Sequence, residues 1–334
     1  MNLQNRTILI TGIDEFIGTR AAELAIAQGM KVKGLQTTQT KDPNLQKLGV
    51  EIIVGSITDN HTAQRACQGV DIILHTAQLA EEGGDIKRFR EINVNGTINI
   101  AQAAKQAGVK TFIHLSTVLV YGFNYTEDIT ENGQVSGDNN PYCQTKIEAE
   151  TEVLKLNSLP DFGVIIIRAG DVYGPGSIPW IVRPVLMMRQ KLFAYANDGQ
   201  GVMNHLYVDN LVDAIFLAIE KQAYGEIFNI TDGEKTSWKD YFLHLAVMEG
   251  LSAPISLPKE EMKLFLKVRN QGQKLFRKKA DILPESVDFM SRPHAYSIAK
   301  AANLLNYQPK VNLEAGMKIT NQWLQKTDIK KLMK

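Results

Sequence analysis

The sequence predicts an α/β fold: a doubly wound parallel sheet followed by a smaller, mostly helical C-terminal lobe. Three observations carry this. Short β-branched runs alternate with helical stretches through the first half of the chain, the rhythm of repeated β-α-β units. Several of those runs are apolar almost throughout, as strands covered on both faces must be. The first run ends in a glycine turn that opens a helix, and a parallel sheet gathers such turns at its carboxyl edge.

Taken in order, Thr7–Ile10 is the first expected strand, followed by the turn Thr11 to Gly18 and a helix over Ile17–Gln28. Lys31–Leu35, Glu51–Val54, Asp71–His75, Thr111–Leu115 and Val164–Ile167 follow as strands. Gly96–Gln106 reads as a helix closed by Ala107-Gly108, since glycine accepts the left-handed backbone that ends helices. Beyond about residue 170 the rhythm loosens. Gly174-Pro175-Gly176 and Asn197-Asp198-Gly199-Gln200-Gly201 are loop signals, Asn210–Glu220 a helix and Glu226–Ile230 a strand. The remainder reads as mostly helical until Trp323. Residues 1–170, with return segments near 205–232, are expected to form the sheet domain. Residues 171–334 form a second lobe packed tightly onto it, and the cleft between them is the expected site.

Composition excludes several classes. With 334 residues, 44% apolar and 22% charged, the chain is neither disordered nor a coiled coil. A net charge of +1 provides no global field for nucleic acid or an anionic membrane. The two cysteines, Cys67 and Cys143, read as reduced thiols of a cytoplasmic protein. The N-terminus is too polar for a secretory leader, and the longest charge-free stretch, Thr111 to Thr126, is interrupted by polar residues and too short to span a bilayer. Lys259 to Lys279 carries eight basic residues interleaved with Leu264, Phe265, Leu266, Leu275 and Phe276. It reads either as a membrane-surface or partner helix or, as expected here, as a solvated face with Leu and Phe turned into the lobe.

Three motifs carry chemistry. In Thr11 to Gly18, Gly12 can make the sharp turn and Gly18 lets the helix pack closely, while backbone N–H groups and the helix dipole favour an anion. Glu15 stands at the middle position, bringing bulk and a carboxylate; a plain tight turn is the other reading. Tyr142-Cys143-Gln144-Thr145-Lys146 places a phenol and an ammonium four residues apart on one helix face. A nearby cation lowers a tyrosine pKa and suits it to take a proton from an alcohol. Ser116-Thr117 follows the fifth strand, and hydroxyls there can hold a substrate oxygen. Each motif alone is common by chance.

Together they resemble the extended short-chain dehydrogenase/reductases, also called the NAD-dependent epimerase/dehydratase family. The resemblance covers nearly the whole chain, through Asp71 to Ala77, Asn93-Val94-Asn95-Gly96-Thr97, Ser116 to Gly122, Pro141 to Lys146, Arg168 to Gly176, Tyr207 to Asn210, Phe228 to Gly233 and Leu305 to Pro309. It implies a Rossmann-type fold and an NAD(P)-dependent oxidoreductase acting on a secondary alcohol or ketone. Thr117 is then the substrate-oxygen donor, Tyr142 the acid/base, and Lys146 the ribose anchor and tuner of the phenol. The implied cofactor contacts are Gly12, Glu15, Phe16, Ile17, Gly18, Gln36, Ser56, Ile57, Thr76, Ala77, Asn95, Ala169 and Val172, with Tyr142 and Lys146. Ser116, Val118, Trp180 and Arg183 are the implied contacts to a small-molecule substrate. A homodimer through the helices at Gly96–Gln106 and Tyr142–Leu156 is also implied.

Asn229 to Glu234 and Arg292 to Ala301 look most like the branch holding 3β-hydroxysteroid dehydrogenases, with sugar-nucleotide enzymes a near second. Val118 and Leu119 stand where dehydratases and decarboxylases carry acids, which weighs against those activities. An epimerase using the same residues is the alternative. Glu15, Gln36 and Ser56 depart from the family pattern and motivate a third reading, a binding or regulatory protein with a decayed cofactor site. Gln36 replaces an acid at the end of the second strand, so a 2′-phosphate meets no repulsion; the expectation leans to NADP, with Thr37, Thr38 or Lys41 in contact. The six histidines show no metal-ligand spacing; His75 and His114 read as core residues, Cys143 as a packed thiol. Arg183 and Arg189 suit a nucleotide diphosphate, while Trp180, Met187 and Met188 suit an apolar pocket.

Overall fold

The computed structural model describes residues 1–39, 43–81, 83–123, 125, 127–137, 140–275, 284 and 286–333. Lys41, and Phe276 to Lys279 of the basic segment, lie outside these residues.

The first half contains β1 (Thr7–Thr11), α1 (Phe16–Ala27), β2 (Lys31–Gln36), α2 (Pro43–Lys47), β3 (Glu51–Val54), α3 (Asn60–Cys67), β4 (Ile72–His75), α4 (Ile86–Phe89), α5 (Thr97–Gln106), β5 (Thr111–Thr117), α6 (Pro141–Leu154) and β6 (Gly163–Ala169). It continues with β7 (Asp171–Tyr173), α7 (Arg183–Arg189), β8 (Ala194–Ala196), β9 (Val202–Met203), β10 (His205–Tyr207), α8 (Val208–Glu220), β11 (Ile227–Ile230) and β12 (Thr236–Ser237). The C-terminal part holds α9 (Trp238–Met248), β13 (Ile255–Leu257), α10 (Lys259–Leu275), α11 (Ser286–Met290), α12 (Ala299–Leu305) and α13 (Leu313–Leu324).

Seven strands form one parallel sheet in the order β11-β6-β5-β4-β1-β2-β3. The order reverses between β1 and β4, the place where such sheets open a crevice. Alternation along the strands explains the two layers. Ile8, Ile10, Ile72, Leu74, Ile113 and Leu115 face one core, while Leu9, Ile73, Phe112, Val164 and Ile166 face the other. The first core runs without interruption through α1 and α8 into Trp238, Tyr241, Phe242, Leu305 and Leu324 of the C-terminal part. Three two-stranded ribbons that periodicity did not announce, β7 with β10, β8 with β13 and β9 with β12, stitch the lobe beside the sheet edge. At two or three residues each, they are too short to leave a period in the sequence.

In α10, Met262 and Leu266 are buried, but Leu264 and Phe265 are 63% and 61% exposed. The expectation that Leu and Phe of this segment turn into the lobe therefore fails for these two: Leu264 stands two positions from both Met262 and Leu266, and Phe265 one position from Leu266, offsets that turn a side chain about 200° and about 100° around a helix. Among the described residues no helix is long and apolar enough to cross a membrane.

Candidate active site

Strand register sets the stage. Thr11 lies level with His75, and His75 with His114, so β5 runs three residues past β4 before ending at Thr117, alongside Ala169. The hydroxyls of Ser116 and Thr117 are thereby carried to the carboxyl edge. Thr117 Oγ1 accepts from the Leu119 N–H at 3.2 Å, turning the chain away. Ser116 Oγ is buried and has no partner among the described residues.

The glycine turn is sterically specified. Gly12 has φ +67°, and a Cβ there would stand 3.0 Å from the Ala77 Cα. At Gly18 a Cβ would overlap the Gly12 carbonyl oxygen. Glu15 caps α1 with φ −94° and ψ 163°, an extended backbone that any side chain tolerates. Glu15 is exposed as a residue, yet desolvation of its carboxyl raises its pKa to about 7, and Asp14 pushes the same way. Phe16 lies within 3.3 Å of a Cβ built on Gly176. Ile17 is half-buried beside it.

Beneath the turn, Thr76 Oγ1 donates to the Thr11 carbonyl at 2.6 Å, and the Ala77 N–H donates to Thr11 Oγ1 at 3.2 Å. His75 bridges Thr11 and Thr97 through its two ring nitrogens at 2.8 and 2.9 Å. Burial, aided by the Lys146 charge, lowers His75 to about 3, and His114, stacked on it at 5.7 Å, is also lowered. Both are core groups that stay neutral.

Helix α6 begins where it does because Asn140 accepts the N–H bonds of Tyr142 and Cys143 at 2.9 and 3.2 Å, with Pro141 in the first turn. This fixes Tyr142 at the mouth and Lys146 one turn deeper. Lys146 is 2% exposed and donates to the Leu115 carbonyl at 2.6 Å. Burial lowers its pKa to about 7, opposed by Glu150. The Tyr142 hydroxyl donates to Gln78 Oε1 at 3.1 Å. Burial raises the phenol well above its ordinary value; Cys143 and Glu15 add to this, and the Gln78 bond opposes it. Phenol and ammonium share a helix face, yet each is engaged elsewhere. Behind them Arg168 and Glu150, both 5% exposed, form an ion pair at 2.6 Å, and Arg168 also donates to the Tyr121 hydroxyl at 2.6 Å.

Other expected positions fall as follows. Gln36 is 2% exposed; its Nε2 donates to the Thr38 carbonyl at 2.7 Å, leaving Oε1 buried without a partner. Ser56 makes a local turn, its Oγ accepting from the Thr58 N–H at 3.1 Å, and Ile57 is buried against Gly96. Ala169 and Val172 are buried at the ends of β6 and β7. Asn95, expected at the cofactor, is exposed instead. Asn93 is the buried one: it donates to the Leu79 carbonyl and to Thr145 Oγ1, each at 3.1 Å, and so ties the Gln78 loop to α6. The wide helical turn over Arg90–Gly96 rotates one asparagine inward and the other outward. Val118, expected at the substrate, is fully buried with Val120, Ile129 and Tyr296, so it packs the structure and is closed to a ligand. Trp180 is half-buried, 5.7 Å from Trp238 and 5.9 Å from Phe289. Arg183 is half-buried at the start of α7, while Arg189 is held by Glu249. Met188 is buried and Met187 half-buried. Gln78 and Asn93 were missed by sequence reasoning. No local pattern marks Gln78; its partner lies 64 residues away.

The cradle at Gly12 and the unpartnered Gln36 Oε1 fit a dinucleotide in backbone shape and in ribose contact. Glu15 fits its phosphates only when protonated, as a hydrogen-bond donor.

Comparison with known proteins adds the following. Residues 8–231 match the model of the NAD dependent epimerase/dehydratase family. The 4-hydroxy-2-methyl-3-oxo-4-farnesyl-3,4-dihydroquinoline-1-oxide ketoreductase of Stigmatella aurantiaca is 24% identical over 321 residues, covering 94% of this chain and 95% of its own. The 2-alkyl-3-oxoalkanoate reductase of Stenotrophomonas maltophilia is 26% identical over 329 residues, covering 93% and 97%. Among solved structures, UDP-glucuronic acid 4-epimerase from Bacillus cereus, in complex with UDP-glucuronic acid and NAD, superposes with a TM-score of 0.75 at 23% identity, covering 96% of this chain and 99% of that one. This last likeness speaks for the fold.

Proposed function

The chain belongs to the NAD-dependent epimerase/dehydratase family, and on that premise we propose that it is an NAD(P)-dependent oxidoreductase that reduces a ketone to a secondary alcohol. The observation that carries this reading is the position of the Tyr142 hydroxyl, and the names of the two reductases favour this direction. The phenol is kept neutral by burial and is held by an uncharged partner, Gln78, that a substrate oxygen can replace. A neutral phenol is ready to donate a proton, whereas oxidation needs the phenolate.

The reduced cofactor, NAD(P)H, would supply the hydride when bound. Tyr142 delivers its proton to the carbonyl oxygen as that oxygen gains charge, while Thr117 and the unpartnered Ser116 hydroxyl hold it in place. Lys146, one turn along the same helix, stabilises in this reading the phenolate that remains once the proton has left. Residues 171–334 form the substrate lobe in this reading. The names of the two reductases supply a substrate class, a 3-oxo compound carrying an alkyl or farnesyl chain, and half-buried Trp180 and Met187 suit such a chain. Gln36 bears on the cofactor. Its donor is spent on Thr38, and its free acceptor suits the ribose hydroxyl of NAD better than a 2′-phosphate, which shifts the expectation from NADP to NAD. A homodimer through α5 and α6 belongs to the proposal and is checked by light scattering.

The test uses a 2-alkyl-3-oxoalkanoate with NADH and with NADPH, following the absorbance of the reduced cofactor. Tyr142→Phe should lower turnover by about 10²–10⁴-fold and leave the nucleotide-induced rise in melting temperature intact. Retained turnover in that variant would sink the assignment of the proton donor. Epimerisation of a nucleotide sugar is the second reading, favoured by half-buried Arg183, for which no ion pair is found among the described residues. Inversion of a stereocentre without net cofactor change identifies it. No melting shift with either nucleotide favours a decayed site.

A further inference from the structure

Tyr142, Lys146 and Glu150 stand four residues apart along α6 and so share one face of that helix. We propose that Glu150 is a positioning residue for the reaction: its carboxylate, fixed by Arg168, holds the Lys146 ammonium in its charged form. This rests on the reading above, in which Lys146 serves the Tyr142 phenol.

Strand register brings the two charges together. Leu115 and Ser116 of β5 lie level with Ile167 and Arg168 of β6. Lys146 docks on the first of these strands, through the Leu115 carbonyl, and Glu150 on the second, through Arg168. One turn of helix therefore separates a buried ammonium from a buried carboxylate. The carboxylate is not free to swing. Arg168 Nε donates to both of its oxygens, at 3.1 and 3.2 Å, and Nη2 donates to one of them at 2.6 Å. Nη1 donates to the Tyr121 hydroxyl, which donates in turn to Asn229 Oδ1 at 2.8 Å. Asn229 is itself pinned, its backbone N–H donating to the Glu131 carboxylate at 2.9 Å. Arg168 is thus engaged through all three nitrogens, and its grip sets where the Glu150 charge sits.

Lys146 needs such a neighbour. The Leu115 carbonyl is a neutral acceptor, and burial draws the ammonium toward its neutral form; Glu150 opposes this. The groups that face Lys146 from other elements bring no second negative charge. His75 on β4 and His114 on β5 stay neutral, and Tyr142 on its own helix keeps its proton. Arg168 on β6 works against the effect, because a cation beside Glu150 offsets part of its field. A buried ion pair returns little stability once both charges have been dehydrated. Set one turn from a lysine, this one has a chemical use: it turns a fixed negative charge toward Lys146.

The test reads the charge of Lys146 through stability, so it needs neither substrate nor cofactor. A lysine lowered to about 7 in the fold binds fewer protons there than in the unfolded chain. Its contribution to stability therefore rises with pH from about 7 toward its ordinary value. Denaturant unfolding of the full chain is followed across this range, each protein being compared with the same protein carrying Lys146→Met. The difference between the two curves bends at the Lys146 pKa, and Glu15, which also titrates at about 7, cancels. Glu150→Gln should move the bend down by about one pH unit, tenfold in proton affinity. Arg168→Met should move it up, since Glu150 then acts unopposed. A general loosening of the fold would move both the same way. Should either single change prevent folding, the double variant Glu150→Gln with Arg168→Met removes both charges together and should still lower the bend. A bend that stays in place in Glu150→Gln or in the double variant overturns the proposal, as do shifts in one direction in both single variants. In ketone reduction the alkaline fall of kcat should move with the bend, and KM should change less. A shifted bend with an unshifted kcat profile supports the action of Glu150 on Lys146 and overturns instead the role given to Lys146 beside the phenol.

Discussion

The two walls of the cleft are held by different means. Around α6 and β5 the charged and amide groups are tied to something deep in the fold: Lys146 to the Leu115 carbonyl, Arg168 to Glu150 and Tyr121, Asn93 to Leu79 and Thr145; the Ser116 hydroxyl is the one left without a partner among the groups assigned to the site. At the turn from Gly12 to Gly18 the backbone is as strictly determined, but the chemistry rests on one carboxyl that titrates at about 7. A side chain interlocked with the core cannot change without cost to folding. A side chain at the mouth of a turn can, provided its backbone is ordinary, and that of Glu15 is.

The largest effect that bears on this contrast should come from Glu150→Ala. It leaves the Arg168 guanidinium buried without its carboxylate and should cost about 3–5 kcal/mol in denaturant unfolding. A loss no larger than that of an ordinary surface substitution would mean that the α6 wall is not anchored through this pair.

Glu15 gives the next effect, and its sign can be worked out. Its folded pKa lies above its unfolded one, so the fold favours the protonated carboxyl, and stability falls as pH rises between the ordinary carboxylate range and about 7. A bound pyrophosphate favours protonation further. Nucleotide affinity, followed by calorimetry, should therefore fall with pH above about 7, by up to about tenfold per pH unit for one linked proton. Glu15→Gly should bind more tightly at pH 8 and lose this slope. An unchanged slope places the titrating group elsewhere.

Gln78 gives the smallest effect and joins the two walls. Its amide can accept from the neutral phenol and, turned over, donate to the phenolate. Gln78→Leu should therefore raise the Tyr142 pKa and reduce turnover by a few-fold, roughly the worth of one neutral hydrogen bond. The groups that act on the phenol are Glu15 from the turn, Cys143 on its own helix and Gln78 itself, so the pH profile is best compared in a Glu15→Gln background. A few-fold loss with no movement of the profile indicates packing alone.

Much of this molecule was legible in its sequence. The six first strands were placed to within one or two residues at most ends, because each is a short run rich in β-branched or other apolar residues with a turn behind it. The Tyr142–Lys146 helix was also legible, from spacing. The choice between Asn93 and Asn95 was not, because two asparagines two residues apart carry no local mark of which one a wide helical turn will point inward. Val118 was misread for a similar reason: its place in the chain suggests the cleft, but its side chain faces Ile129 and Tyr296 from far along the sequence.

By itself the sequence determined the order of the six first strands and the glycine turn, which are written in local periodicity and in backbone conformations that only certain residues adopt, and the ordered succession of motifs carried the resemblance to the family. Tertiary structure alone decided that the Tyr142 phenol meets Gln78, that Lys146 sits against Leu115, and that Leu264 and Phe265 face outward. Contacts between distant segments depend on strand register and helix rotation: a shift of one residue turns a strand side chain to the opposite face and a helix side chain by about 100°, without altering the pattern that predicted the element.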